Sequence, residues 1–545
     1  MVSPDLSASS CVAESLCPYE QCFARLYLPS SDFAGRPVVA TADTSAENLA
    51  WLRAAYPAVR LAGASRESLF DQFQLRFGTH IADSASYALA RKAPALSAKT
   101  VITRKQLFLV VAIFVALAAA VTLRPAAGYG VFVGLTSASF ISGTLFRAML
   151  AWIGGTELEA IAAKTEFGAA LPVYTILVPL YREANVLPRL IQALRLLDYP
   201  KDKLDIKLVV EADDFDTVRV AEALASDAPF QIIPVPPGMP RTKPRACNYA
   251  LAFARGEFTV IYDAEDRPEP DQLRKAIARF RTGPTDLACL QAHLNFYNAN
   301  ENWLTRLFAL DYALWFDVLM PGLEKLGVPM PLGGTSNHFR TAALRAVGAW
   351  DPFNVTEDAD IGIRLAQLGM RVAMLNSTTF EEAPTTLAVW LKQRSRWLKG
   401  YLQTWLVHMR DPGALRRRTG WAGFFSVQLF LGGSVLSALM NPLLWLMFIG
   451  SCLFGSQLGS PLGEHAFTSV AALSLFSGNA VLTWLAVIAP KRRGWKSLAP
   501  YGFTIAFYWA LISIAAWRGL LQLFTRPFYW EKTAHGLSRV EEVQT

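Results

Sequence analysis

The stretch Phe258-Thr259-Val260-Ile261-Tyr262-Asp263-Ala264-Glu265-Asp266 runs from apolar and β-branched residues straight into three carboxylates. A short run of this kind fits a strand covered on both faces better than a surface helix. Three earlier runs, 174–181, 206–212 and 230–235, share the pattern, and the intervals between them are long enough for crossover helices. Alternation of this kind predicts an α/β domain with a mainly parallel sheet. In such sheets ligands sit beyond the carboxyl ends of the strands, which is where the acids after Val210 and Tyr262 fall.

Outside this domain the chain turns apolar. Its 545 residues exceed one ordinary domain, and a hydrophobic share of 52% with 15 tryptophans points to the membrane class. Residues 107–123 and 129–146 are nearly free of charge, and each approaches the ~20 residues that cross hydrocarbon. Arg104 and Lys105 precede this hairpin, and Arg147 and Lys164 follow it, so both ends are expected in the cytoplasm. Apolar runs return at 424–454, 467–489 and 499–524; the first holds Asn441-Pro442, a kink signal, and the last carries Arg518. The last run is expected to be tilted, re-entrant or interfacial, with a cytoplasmic C-terminus.

The net charge of +8 collects beside apolar runs, as in Lys491-Arg492-Arg493, so it reads as a topology signal and no nucleic-acid partner is expected. The opening residues to Tyr19 are polar and broken by prolines, unlike a secretory leader, which places the N-terminus in the cytoplasm. Cys11, Cys17, Cys22, Cys247, Cys289 and Cys452 form no Cys-x-x-Cys pair, and the first histidine is His80; zinc is not expected, and the thiols are expected to be free.

Several polar clusters punctuate the α/β region. Glu211-Ala212-Asp213-Asp214 closes one strand and Lys243-Pro244-Arg245-Ala246-Cys247-Asn248 opens a helix. Gly333-Gly334 permits close backbone approach to a ligand. Thr356-Glu357-Asp358 starts a helix, with Thr356 a candidate cap and the acids favoured by the dipole. Gln393, Arg396 and Trp397 share one helix face, flanked by Trp390, Lys392, Arg394, Lys399 and Trp405 in the manner of an interfacial helix.

Taken in this order, from Pro172 to Trp397, the clusters resemble the membrane-embedded type 2 family glycosyltransferases that include cellulose, curdlan, chitin and hyaluronan synthases. The resemblance implies a GT-A type domain inserted between transmembrane helices. It makes Asp358 of the Thr-Glu-Asp motif the general base, with Glu357 beside it. It implies Mg²⁺ or Mn²⁺ at Asp263 and Glu265, with Asp266 expected as a helix cap before Pro268. A UDP-sugar donor would be held by Lys243 and by an acid of the 211–214 cluster, where Glu211, Asp213 and Asp214 all remain open. Gln393, Arg396 and Trp397 form the motif that marks processive members; Arg396 suits a diphosphate and Trp397 a sugar face.

The expected organisation is an N-terminal cytoplasmic domain (1–100), a transmembrane hairpin (105–150), the GT-A domain (165–384), interfacial helices (385–420), a transmembrane region (421–525) and a tail (526–545). The segment 35–77 faintly resembles the N-terminal domain of type II secretion ATPases. That predicts a small α/β unit docking an accessory protein, or binding cyclic di-GMP, although the associated Arg-Leu-Gly-x-x-Leu pattern is not visible. The tail 528–533 resembles C-terminal segments of related bacterial synthases and is expected near the active site, as a gate.

The expected function is a processive, inverting synthase in a bacterial inner membrane. Its partners would be a nucleotide sugar, the growing β-linked polysaccharide and inner-membrane lipids. The alternatives are a non-processive enzyme glycosylating a lipid carrier, and a nucleotide-regulated, non-catalytic export component.

Overall fold

The computed structural model describes residues 19–31, 36–155, 171–224, 229–454, 463–533 and 535–539. Three strands, β1 (Tyr27–Ser31), β2 (Pro37–Thr41) and β3 (Arg60–Gly63), form a small sheet in the order β1-β2-β3. The large sheet contains β4 (Tyr174–Leu180), β5 (Leu204–Glu211), β6 (Phe230–Val235), β7 (Phe258–Ile261), β8 (Arg267–Pro268), β9 (Leu287–Phe296), β10 (Asn337–Arg340) and β11 (Arg371–Glu381). Its order is β6-β5-β4-β7-β10-β9-β11-β8.

The first four of these neighbours run parallel. β10 then pairs antiparallel with both β7 and β9, whereas β9 and β11 are parallel to one another. The expected strands are thus present with ends shifted by a few residues, and the sheet is mainly parallel. Every residue of β5 is buried, because the sheet is covered on both faces. Ile176 and Val178 pack into one core while Leu177, between them, packs into the other. The chain leaves β4 for β5 on one side and returns to β7 on the other, which opens a crevice at their carboxyl ends.

The N-terminal unit is not a separate ball. Its helix Arg66–Lys92 runs well past the 35–77 segment and lies on the helix Lys243–Leu251. Leu69, Phe70 and Phe73 share one core with Tyr249, Phe253 and Val209 of the large domain. Asn248 fastens the junction by donating to the Ala85 and Trp350 carbonyls. Cys22 of this unit is disulfide-bonded, which corrects the expectation of free thiols; Cys247, Cys289 and Cys452 are free. The expectation rested on compartment alone, which says nothing of which sulfurs the fold brings together.

Five helical segments are long and apolar enough to cross a membrane: Arg104–Leu123, Gly130–Gly154, Pro412–Gly450, Ser469–Arg492 and Lys496–Thr525. The last begins as a 3₁₀ stretch, Lys496–Thr504, and continues as the α-helix Ile505–Thr525. It runs beside the helix Leu387–His408, with Tyr508 against Trp390 and Gly519 against the Ser395 carbonyl. Both of its ends touch the catalytic side. Arg493, just before it, bonds Thr378 at the end of β11, and Lys532, just after it, bonds the Arg182 carbonyl. The segment is long and apolar enough to cross, and the residues that flank it at both ends bond to the same domain.

Candidate functional site

One cavity of 1220 Å³ begins at the carboxyl ends of β4, β5 and β7 and continues between the membrane-associated helices. Nine of the ten residues singled out from sequence line it: Glu211, Lys243, Asp263, Glu265, Glu357, Asp358, Gln393, Arg396 and Trp397. Asp213 stands apart, half exposed and 2.6 Å from Arg241. Asp214 is committed to the backbone, accepting from the N–H groups of Arg182 and Thr217. Of the three open acids, Glu211 is therefore the one that faces the cavity. It is buried beside Arg245, one of its carboxylate oxygens has no partner, and burial raises its pKa.

Lys243 is the hub of the donor end. As the first residue of its helix it reaches across to Asp263 and donates to the Gly334 carbonyl at 2.7 Å. Burial works against its charge, but Asp263 and Glu357 outweigh that, and its pKa lies above the ordinary lysine range. The turn after β7 is held by Asp266, which is fully buried and accepts from the Asp263 N–H and the Thr335 hydroxyl. This corrects the expected helix cap: the next helix starts at Gln272, and Asp266 serves the turn instead.

Glu265 meets residues that the sequence left unassigned. Its carboxylate lies 3.0 Å from His535 Nδ1 in the tail. Glu183, past the end of β4, completes a group whose ligand atoms all lie within 4.8 Å of one another. Two carboxylates and an imidazole are a competent donor set for a divalent ion, and the nitrogen suits Mn²⁺ better than Mg²⁺, which favours oxygen ligands. Burial, then repulsion from Asp263 and Glu183, raises the pKa of Glu265 well above the carboxylate range, the condition that a cation relieves.

The helix Glu357–Gln367 brings Glu357 and Asp358 into the crevice at its first turn. Thr356 makes no capping bond, so the cap suggested from sequence is absent; its hydroxyl instead faces Asn354 and Thr404. Asp358 accepts from the Ala359 N–H at 2.7 Å, and Gly334 closes over it: a Cβ there would come within 3.2 Å of Asp358 Oδ2. Burial pushes Asp358 up to about 6, and burial together with repulsion from Asp358 pushes Glu357 up to about 8. The two acids titrate as a pair, which is thus poised to share one proton near neutrality.

The helix Leu387–His408 carries the last three residues. Arg396 stacks over Trp530 of the tail at 4.4 Å, and its Nε has no partner. The guanidinium of Arg394 lies 4.7 Å from the Trp397 ring centroid and 4.5 Å from that of Phe308, while it is ion-paired with Asp311. Arg394 therefore fixes the plane of Trp397, a role that sequence spacing alone did not separate from general interfacial charge. The tail itself is tied down by Glu382, which accepts from the N–H groups of Gly536, Leu537 and Ser538. The ring nitrogen of His535 was legible only as a residue two places beyond the quoted 528–533 segment.

Residues 258–512 match the family described as Glycosyl transferase family group 2. The probable glycosyltransferase YdaM of Bacillus subtilis is 26% identical over 274 residues, which are 49% of this chain and 65% of that protein, so just under two thirds of its length is spanned. The beta-monoglucosyldiacylglycerol synthase of Synechocystis is 25% identical over 414 residues, 74% of this chain and 84% of its own. Among solved structures, the mannosyltransferase PcManGT from Pyrobaculum calidifontis, in complex with GDP-Man and Mn²⁺, aligns with a TM-score of 0.49 at 18% identity, covering 73% of this chain and 99% of that one.

Proposed function

We propose that the chain is a family 2 glycosyltransferase of the hexosyltransferase kind, associated with a membrane through its candidate helices. The chain would be an inverting enzyme with a GT-A type domain on the cytoplasmic face of a bacterial inner membrane. It would move a hexose from a nucleotide sugar, UDP-linked, to the end of a growing β-glycan. The observation that carries this reading is the continuity of the cavity, from Lys243 at the donor end, past Asp358, to Trp397 and on to Ser437 and Asn441 of a membrane helix.

Asp358 would take the proton of the acceptor hydroxyl as that oxygen bonds the anomeric carbon, while the bond from that carbon to the diphosphate breaks on the opposite face. Glu211 would accept from the base or ribose of the donor, and Lys243 and Arg396 would face its diphosphate. Glu265, His535 and Glu183, with Asp263 close by, would hold a divalent ion, which supplies Lewis-acid stabilisation of the leaving diphosphate. Trp397, held by Arg394, would stack on the acceptor sugar, and the polar stretch beyond it would receive the lengthening chain.

A second reading, transfer to a membrane lipid, is favoured by one residue, Arg147, which places a cation in the membrane-level part of the same cavity. Purified protein given UDP-glucose, UDP-N-acetylglucosamine or GDP-mannose with Mn²⁺ should release nucleotide and build a product whose size and linkage are then read. Polymer of increasing length supports the synthase, and single transfer to lipid supports the second reading. No nucleotide release from any donor would overturn both.

A further inference from the structure

Arg147 sits in the membrane-associated helix Pro125–Gly154, three residues before Leu150, whose carbonyl packs against Gly322 of the catalytic domain. Its guanidinium does not reach out towards that interface. It folds back to the level of Gly143, where Nη1 lies 3.5 Å from the place a Cβ would occupy. Seven residues separate Gly143 from Leu150, so the charge lies roughly 10 Å deeper than the contact at Leu150. Among the described residues its hydrogen bond is to the Ser434 hydroxyl, 2.7 Å from Nη2. Asp311 shares the cavity wall but is taken by Arg394, and among the described residues no carboxylate forms an ion pair with Arg147.

A cation at such depth without a counter-ion is costly and normally faces a cavity with a function. Here Asn441, lining the same space, has a buried amide oxygen with no partner, so a second polar group waits on the same wall. Phe140, Leu482 and Ile512 surround these two with hydrocarbon. A planar guanidinium fork beside an apolar wall is suited to a phosphate ester that carries a hydrocarbon tail.

We propose that Arg147 is the anion subsite of an acceptor anchored to a lipid through a phosphate ester, with Asn441 and Ser434 beside it. The lipid tail would occupy the apolar end of the cavity, and the glycosyl end would reach Trp397 and Asp358. This rests on the reading of the cavity as the acceptor passage.

Farnesyl phosphate, farnesol and inorganic phosphate, each titrated into the full chain in detergent with tryptophan fluorescence as readout, test it; Trp397 and Trp509 line the cavity. Farnesyl phosphate should bind about tenfold or more tighter than farnesol, and inorganic phosphate at the same concentrations should not displace it. Arg147→Gln should erase the preference, and Arg147→Lys should retain most of it. Equal binding of farnesyl phosphate and farnesol by the unaltered chain would overturn the proposal, as would displacement by inorganic phosphate or an unchanged preference in a folded Arg147→Gln protein. Nucleotide release from the donor panel is measured separately. Release without a phosphate preference sinks the lipid subsite alone, and a preference without release sinks the transferase reading alone.

Discussion

At the scale of single residues, Asp358 and Glu357 show how one buried turn divides two acids. Asp358 rises to about 6 and Glu357 to about 8, so the former is the ionised partner at neutral pH. A general base works only without its proton. Acidification through pH 6 should therefore cut kcat/KM by about tenfold per pH unit, with a plateau above it. A pH–rate profile flat down to pH 5 would remove Asp358 from the role. Asp358→Asn should lower transfer by ~10² to 10⁴ while UDP still binds, as calorimetry of the variant can check. The metal reading meets its own test in His535→Ala, which should weaken Mn²⁺ binding by about tenfold or more, read by the spin-resonance signal of free Mn²⁺ without any turnover. Excess chelator should silence the intact protein.

At the scale of elements, the helices Leu387–His408 and Ile505–Thr525 act as one unit. They run side by side, with Gly519 so close to the Ser395 carbonyl that a Cβ would approach to 2.7 Å. Ala515 and Ala516 continue the close seam against Leu398. Gly519→Val should wedge the helices apart and destabilise the protein by about 1–3 kcal/mol, seen as a lower Tm in detergent. The same wedge lies next to Arg396 and Trp397, so transfer should fall as well, and a variant with unchanged Tm and activity would show that the seam is not tight. The strand pattern of β4 and β7 was legible beforehand because residues buried on both faces form a nearly unbroken apolar run, and β5 keeps such a run over 208–210 although it buries Asp205 and Lys207 as an ion pair. The parallel pair β9 and β11, and the antiparallel insertion of β10 between β7 and β9, were not, because pairing of strands far apart in the chain leaves no local periodicity.

At the scale of the whole molecule, the N-terminal unit and the catalytic domain share a core, and a membrane crossed by the candidate spans would have both on one side. The proposed topology takes the candidate spans Arg104–Leu123 and Gly130–Gly154 out and back between them, and repeats the excursion with Pro412–Gly450 and Ser469–Arg492. That topology keeps the final helix on the catalytic side, in keeping with a tail that meets Glu382 and Glu265. On a Cys452→Ser background in spheroplasts, a cysteine at Leu123 should react with a membrane-impermeant maleimide before lysis, and cysteines at Lys491 or Arg539 only afterwards. Labelling of position 539 in intact spheroplasts would put the tail outside and remove His535 from the site. By itself the sequence determined the α/β class, the apolar segments and the carboxylates at strand ends, because periodicity, hydropathy and turn chemistry are local properties. Only the tertiary structure decided that His535 meets Glu183 and Glu265, that Asp266 serves a turn and Glu211 the cavity, and that Arg147 has no ion pair with a carboxylate among the described residues. Those facts depend on which distant segments a folded chain brings within a few ångströms, and no spacing along the sequence encodes them.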